Sequence, residues 1–318
     1  MQNFLDPAIL FFVFGLLAGA LKSNLEIPPP IARFLSLYLL MALGLKGGFA
    51  LAKSGLTAEV VVSLACALLL AVAVPALGYA LLKRRVSRFD AAAIAATYGS
   101  VSAVTFITAT QYLDNHGLAF GGHMAAAMAL MESPAIVMAV LLANLARRRQ
   151  GDPAQNTGMK GVLHEALTDG AQLLLIGAMA VGLLTGDAGK AAMQPFTGDL
   201  FKGMLAFFLL DMGLLAARNV GALRGQSPAL LGYALLAPPV HAGLALGLAM
   251  VCGLSPGNGA LLMVLAASAS YIAVPAVVRV AIPEAHPTLY FGMSLGLTFP
   301  LNILAGIPLY VAVAQRLL

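Results

Sequence analysis

Residues 58–82 read AEVVVSLACALLLAVAVPALGYALL, an unbroken apolar run whose one charged side chain, Glu59, stands at its start. At a rise of about 1.5 Å per residue such a run spans about 37 Å as a helix, enough to cross roughly 30 Å of bilayer hydrocarbon. Moving outward, similar runs lie near residues 5–22, 31–52, 89–111, 120–146, 168–186, 200–217, 228–252, 259–281 and 287–314, separated by short polar punctuation. Composition agrees: the chain is 60% hydrophobic and 10% charged, against roughly 45–50% and about 25% in soluble domains. The reading is an all-α integral membrane protein of about ten transmembrane helices. No basic region precedes the first run and the second follows at once, so the first is read as a span and not as a cleaved signal. Cys66 and Cys252 both lie within apolar runs, which argues against a disulfide framework.

The segment 147–167, with Arg147, Arg148, Arg149, Asp152, Pro153 and Lys160, divides the chain into a first repeat, 1–146, and a second, 168–318. Gly15-Leu16-Leu17-Ala18-Gly19 recurs as Gly182-Leu183-Leu184-Thr185-Gly186, and Met41-Ala42-Leu43-Gly44-Leu45 loosely as Leu210-Asp211-Met212-Gly213-Leu214. Five spans per half is an odd number, so the second half enters the membrane upside down, a 5+5 inverted-topology repeat. Chance likeness among Gly, Ala and Leu in lipid-facing helices is the plain alternative. Net charge is +5, but the basic residues cluster in short loops, which points to membrane orientation and not to nucleic acid. Lys83, Arg84, Arg85 and Arg88, the Arg147 cluster, and Arg218 with Arg224 mark the inner side; the segment 147–167 is then cytoplasmic and both termini are outside.

Two spans are interrupted by small and hydroxyl residues: Tyr98-Gly99-Ser100-Val101-Ser102-Ala103-Val104-Thr105 and Ser268-Ala269-Ser270-Tyr271-Ile272-Ala273-Val274-Pro275. Gly99 weakens a helix and Pro275 removes a backbone donor, so both stretches are expected to unwind. Bare backbone within a membrane is tolerated only beside a cavity, where helix N-termini attract anions and freed carbonyls or hydroxyls hold cations. Close helix packing with serines bonded back to their own helices is the competing reading; symmetric placement in the two halves favours the site. Gly99, Ser100, Val101, Ser102, Ser268, Ala269, Ser270 and Tyr271 are the candidate substrate residues.

Glu132 is a carboxylate inside the fifth span, and Asn302 holds the matching place in the tenth. An ionised carboxylate there is costly unless it faces a cavity or a partner, which suits a coupling cation or proton. Thr105, Glu132, Ser270 and Asn302 form the candidate coupling-ion set. Asp211 and Lys46 are expected to pair with each other inside the membrane. No zinc-protease, phosphate-loop, nucleophile-elbow or Cys-x-x-Cys signature occurs. An enzyme is not indicated, and neither is a cofactor or a metal apart from sodium.

Several segments resemble the sodium-dependent bicarbonate transporter family over nearly the whole chain. They are Tyr98 to Ser102, Met131-Glu132-Ser133-Pro134-Ala135, Ala237-Pro238-Pro239-Val240-His241, Ala266 to Ser270, Ala281-Ile282-Pro283, and the closing stretch from Phe291 to Leu309. The resemblance implies an inverted repeat with crossed broken helices 4 and 9. It also implies a gate domain from helices 1, 2, 6 and 7 and a core domain from helices 3–5 and 8–10. It further implies a homotrimer in the inner (plasma) membrane that imports bicarbonate with sodium, and a PII-like cytoplasmic regulator for some members. Ser100, Ser102, Thr105, Ser268 and Ser270 inherit the expectation of lining the substrate and sodium sites. Tyr271 stands where the family carries an acid, Ala273 where it carries a hydroxyl, and Val274 where it carries glycine. A symporter for another small anion, or a membrane sensor or scaffold that no longer transports, are the other readings.

Overall fold

The computed structural model describes residues 6–150, 168, 170–223 and 225–318. Among these residues the chain is helical and contains no strand. In order it forms α1 (Pro7–Ala20), α2 (Pro29–Ser54), α3 (Ala58–Leu82), α4 (Arg88–Gly99), α5 (Ala103–Asn115) and α6 (Met124–Gln150). After the segment 151–167, which lies outside the described residues, come α7 (Gly170–Gln194), α8 (Leu200–Val220), α9 (Pro228–Cys252), α10 (Pro256–Ala267) and α11 (Ala273–Ala281). The last helix, α12, runs Pro287–Leu317 and loosens to the π register over Gly292–Thr298 and Asn302–Gly306. Among the described residues seven helical runs are long and apolar enough to cross a membrane, and α1 and α10 are shorter apolar helices. One of those runs, Gly170–Val220, includes both α7 and α8 and bends at Gly186, whose φ is 54°.

The helix ends follow local chemistry. Asp6 caps α1 by accepting from Ala8 N at 2.8 Å, with Pro7 as the first helical residue, where its missing N–H costs nothing. Ser87 caps α4 through Asp90 N at 3.0 Å, and Gly253, at φ 65°, ends α9 in the left-handed region. Outward faces carry Phe14 and Leu17 on α1, Leu69 and Leu77 on α3, and Leu236 and Val251 on α9, all exposed and all apolar. Exposed apolar faces of this extent suit lipid and not water.

Packing sorts the helices into two groups. In one, α1 crosses α8 and α2 crosses α7. These crossings are close: a methyl on Gly15 would overlap the Leu210 carbonyl oxygen, and one on Gly48 would overlap that of Met179. In the other, α3, α4 and α6 form one cluster, while α9, α10 and α12 form a second. The two short helices α5 and α11 follow α4 and α10 and complete it.

Two expectations change. Lys46 does not pair with Asp211; its ammonium lies 3.6 Å from Asp114 and 4.3 Å above the Phe201 ring, because α2 meets α5 and the start of α8 at that level. Arg147 is not a loop residue. It is buried in α6, where its guanidinium grips both oxygens of Glu284 at 2.8 Å and the Ala281 carbonyl at 2.9 Å. Cys66 and Cys252 are free thiols, and their sulfurs lie 3.7 Å apart. Arg224 lies outside the described residues.

Candidate functional site

The two interrupted stretches are breaks between helices, and they meet. Helix α4 ends at Gly99, and Ser100 turns extended with φ −95° and ψ −175°. Gly99 is required by packing: a methyl there would strike the Pro75 ring of α3. Ser102 is extended too, and its hydroxyl caps α5 by accepting from Thr105 N at 3.2 Å and Thr105 Oγ1 at 3.0 Å. On the other side α10 stops at Ala267 and the chain runs extended from Ser268. Pro275 falls in the first turn of α11, where a missing donor is tolerated.

Each break satisfies the other's backbone. Ser270 N donates to Thr97 O at 2.8 Å, and Ser102 N donates to Ser268 Oγ at 3.0 Å, while Ser268 Oγ itself donates to Leu265 O at 2.9 Å. Ser270 Oγ accepts from Val274 N at 3.3 Å, in the first turn of α11. Unwound backbone in an apolar interior is otherwise expensive, and these bonds remove most of that cost.

A cavity of about 210 Å³ opens at this junction. The N-terminal ends of α5 (Ser102, Ala103, Val104) and α11 (Ile272, Ala273) both face it. Helix N-termini carry partial positive charge and unshared N–H groups, so two converging on one hollow favour an anion. The lining also holds Glu132 of α6 and Gln172 of α7, with Gln172 Nε2 donating to Glu132 Oε2 at 2.6 Å. Ser36 and Leu40 of α2 line it too. The cavity therefore lies between the two helix groups.

Of the residues singled out from sequence, Val101, Ser102, Ser270, Tyr271 and Glu132 line this cavity. Gly99, Ser100, Ser268 and Ala269 are buried and outside the lining, the Ser100 hydroxyl with no partner among the described residues. Thr105 turns its hydroxyl to Ser102 and is not in the lining. Asn302 is remote from Glu132: its amide donates to Ala267 O at 2.8 Å and its oxygen accepts from Tyr310 at 3.3 Å, which ties α12 to the end of α10. The structure does not bring the four coupling-ion candidates together. Tyr271 sets its ring edge-on to Phe299 at 5.3 Å, and its hydroxyl donates to Met212 Sδ at 3.6 Å.

Sequence reasoning missed Gln172, although one amide inside an apolar run is itself a signal. It also missed the hydroxyl pair Tyr98 and Thr298, 2.6 Å apart, which joins α4 to α12. Nothing in the sequence brings those two together, since they lie 200 residues apart. At another level a larger hollow of about 820 Å³ is lined in part by Lys46, Lys53, Lys190, Asp114 and Asp187.

Among curated proteins the comparison finds no match. The model of the Na+-dependent bicarbonate transporter superfamily matches residues 7–315, nearly the whole chain. An apolar all-helical body, broken helices meeting at an anion-favouring cavity, and this match agree: the chain is a multi-pass membrane protein, not an enzyme, and belongs to the Na+-dependent bicarbonate transporter superfamily.

Proposed function

We propose that the protein imports bicarbonate with sodium across the cell's inner membrane, and that the cavity at the two helix breaks is the binding site. The observation that carries this reading is the convergence of the α5 and α11 N-termini on one hollow that also holds the Glu132 carboxylate. An anion and a carboxylate repel each other across so small a space unless a cation lies between them. Coupled binding of a small anion and sodium resolves that conflict. At about 210 Å³ the hollow admits bicarbonate and a few waters, each water needing about 30 Å³.

The architecture in this proposal is ten spans in two inverted five-helix repeats, with α4–α5 and α10–α11 each counted as one broken span. Exchanging the halves carries the α1–α8 crossing onto the α7–α2 crossing, and the α3, α4, α6 cluster onto α9, α10, α12, which supports the repeat. In this scheme α1, α2, α7 and α8 form the gate and the remaining helices the core. The basic segments after α3 and α8 face the cytoplasm, as does the segment 151–167, and both termini are outside. The lysine-bearing hollow then opens outward and gathers anions. Homotrimer assembly and a PII-like cytoplasmic partner are carried over from the family resemblance.

Tyr271, in place of the family's acid, favours a second reading in which another small anion is the cargo. Uptake of labelled bicarbonate into proteoliposomes, with and without an inward sodium gradient and with competing anions, tests both. Sodium-stimulated accumulation is expected. Accumulation blocked by a different anion that is itself transported selects the second reading, and absence of any uptake removes both.

A further inference from the structure

Asp211 stands in the middle of α8, is 6% exposed, and among the described residues has no hydrogen bond or ion pair. Its surroundings offer little to an ionised carboxylate. Helix α1, which packs on this face, has no charged residue, and neither has the Gly292–Thr298 stretch of α12. The Lys46 ammonium of α2 is engaged with Asp114 and the Phe201 ring, and Phe201 sits about 15 Å back along α8. Asp199, before α8, is further still, at about 18 Å. Arg218, about 10 Å onward on the same helix, is the cation that acts on Asp211; its guanidinium donates to Leu25 O at 2.8 Å.

What separates Asp211 from the cavity is Tyr271. That ring lines the cavity, its hydroxyl reaches Met212 beside Asp211, and the Asp211 carboxylate and Ser102 hydroxyl both act on it. Tyr271 belongs to the α10–α11 break, whereas Asp211 belongs to the group in which α8 crosses α1. A relative shift of the two groups would open the carboxylate to cavity water; in the arrangement seen here it is largely buried, with the residue 6% exposed. A largely buried carboxylate with no counter-ion against it favours its neutral form, and an exposed one ionises.

We infer that Asp211 is a second, proton-binding site of the transport cycle, holding a proton while buried beside Tyr271 and releasing it when α8 moves off the break. The inference rests on the transporter reading above, but part of its test does not. Infrared spectra of the reconstituted full-length protein across a pH titration are expected to show a protonated-carboxyl C=O band that is lost in Asp211→Asn and kept in Asp211→Glu and Glu132→Gln. Uptake with bicarbonate held constant and protein-free vesicles subtracted is expected to respond to an inward proton gradient in the parent and in Asp211→Glu. In Asp211→Asn that response is expected to be lost while exchange at equal bicarbonate persists. A band that survives in Asp211→Asn, or an unchanged response to the proton gradient in that variant, overturns the inference. If the parent takes up no bicarbonate, the transport reading fails, and the band alone decides whether Asp211 holds a proton.

Discussion

Two charged side chains of helix α6, Glu132 and Arg147, have opposite fates. Glu132 faces the cavity with Gln172 as its donor, and it is the one carboxylate in the described lining. Glu132→Gln preserves shape and hydrogen bonding but removes the charge, so the variant is expected to fold while sodium-stimulated uptake falls toward the gradient-free level. Unchanged stimulation in proteoliposomes would place the cation on backbone carbonyls and on Ser102 and Ser270 instead. Arg147, near the other end of α6, is structural: buried, and clamped bidentately by Glu284 from the α11–α12 connection. Removing one partner of a buried pair costs about 3–5 kcal/mol. Glu284 is about one-third exposed, so Glu284→Gln is expected to cost nearer ~2 kcal/mol in thermal unfolding. The Arg147 guanidinium bonded to Glu284 holds that carboxyl below the usual range. A depressed value means the contribution is full above about pH 4.3 and is lost as pH falls through the lower folded value. The variant should therefore lose less stability on acidification than the parent does.

At the level of helices, backbone approach decides the architecture. Gly48 of α2 meets the Met179 carbonyl of α7 with no room for a side chain. Overpacking typically costs about 1–3 kcal/mol, and here the obstacle is main chain that cannot rotate away. Gly48→Leu is expected to lower the unfolding temperature in detergent or to abolish a monodisperse gel-filtration peak; unaltered stability would show that the crossing is looser than described. The interruptions at Tyr98–Thr105 and Ser268–Pro275 were legible because small and hydroxyl residues stand where the flanking spans carry bulky apolar ones. Which side chains of each stretch face the cavity was not legible. The wall received Ser102 and Ser270 with their neighbours Val101 and Tyr271, while Ser100 and Ser268 turned inward to packing and backbone bonds, a choice set by which helices pack behind each break.

At the level of the whole molecule, orientation is open to direct measurement. In a background with Cys66 and Cys252 replaced by serine, a cysteine at Arg84, on the exposed turn after α3, is expected to resist an impermeant maleimide in intact cells. One at Gly55, exposed between α2 and α3, should react. The reverse pattern inverts the proposed topology. The membrane character, the helical class, the places of the interruptions and the family were all written in the sequence. Each depends on composition, run length or local residue type, which act over a few turns of one helix. Partnership was not. Lys46 could meet Asp211 or Asp114, and only the crossing of α2 with α5 and α8 chose Asp114. Asn302 is expected to match Glu132 by position, yet it ties α12 to α10 and lies away from the cavity. Gln172, 40 residues from Glu132, became its donor because α7 lies against α6. Charge and hydrogen bonding act over a few ångströms, so the pairing of residues far apart in the chain was fixed only when tertiary packing set which helices touch.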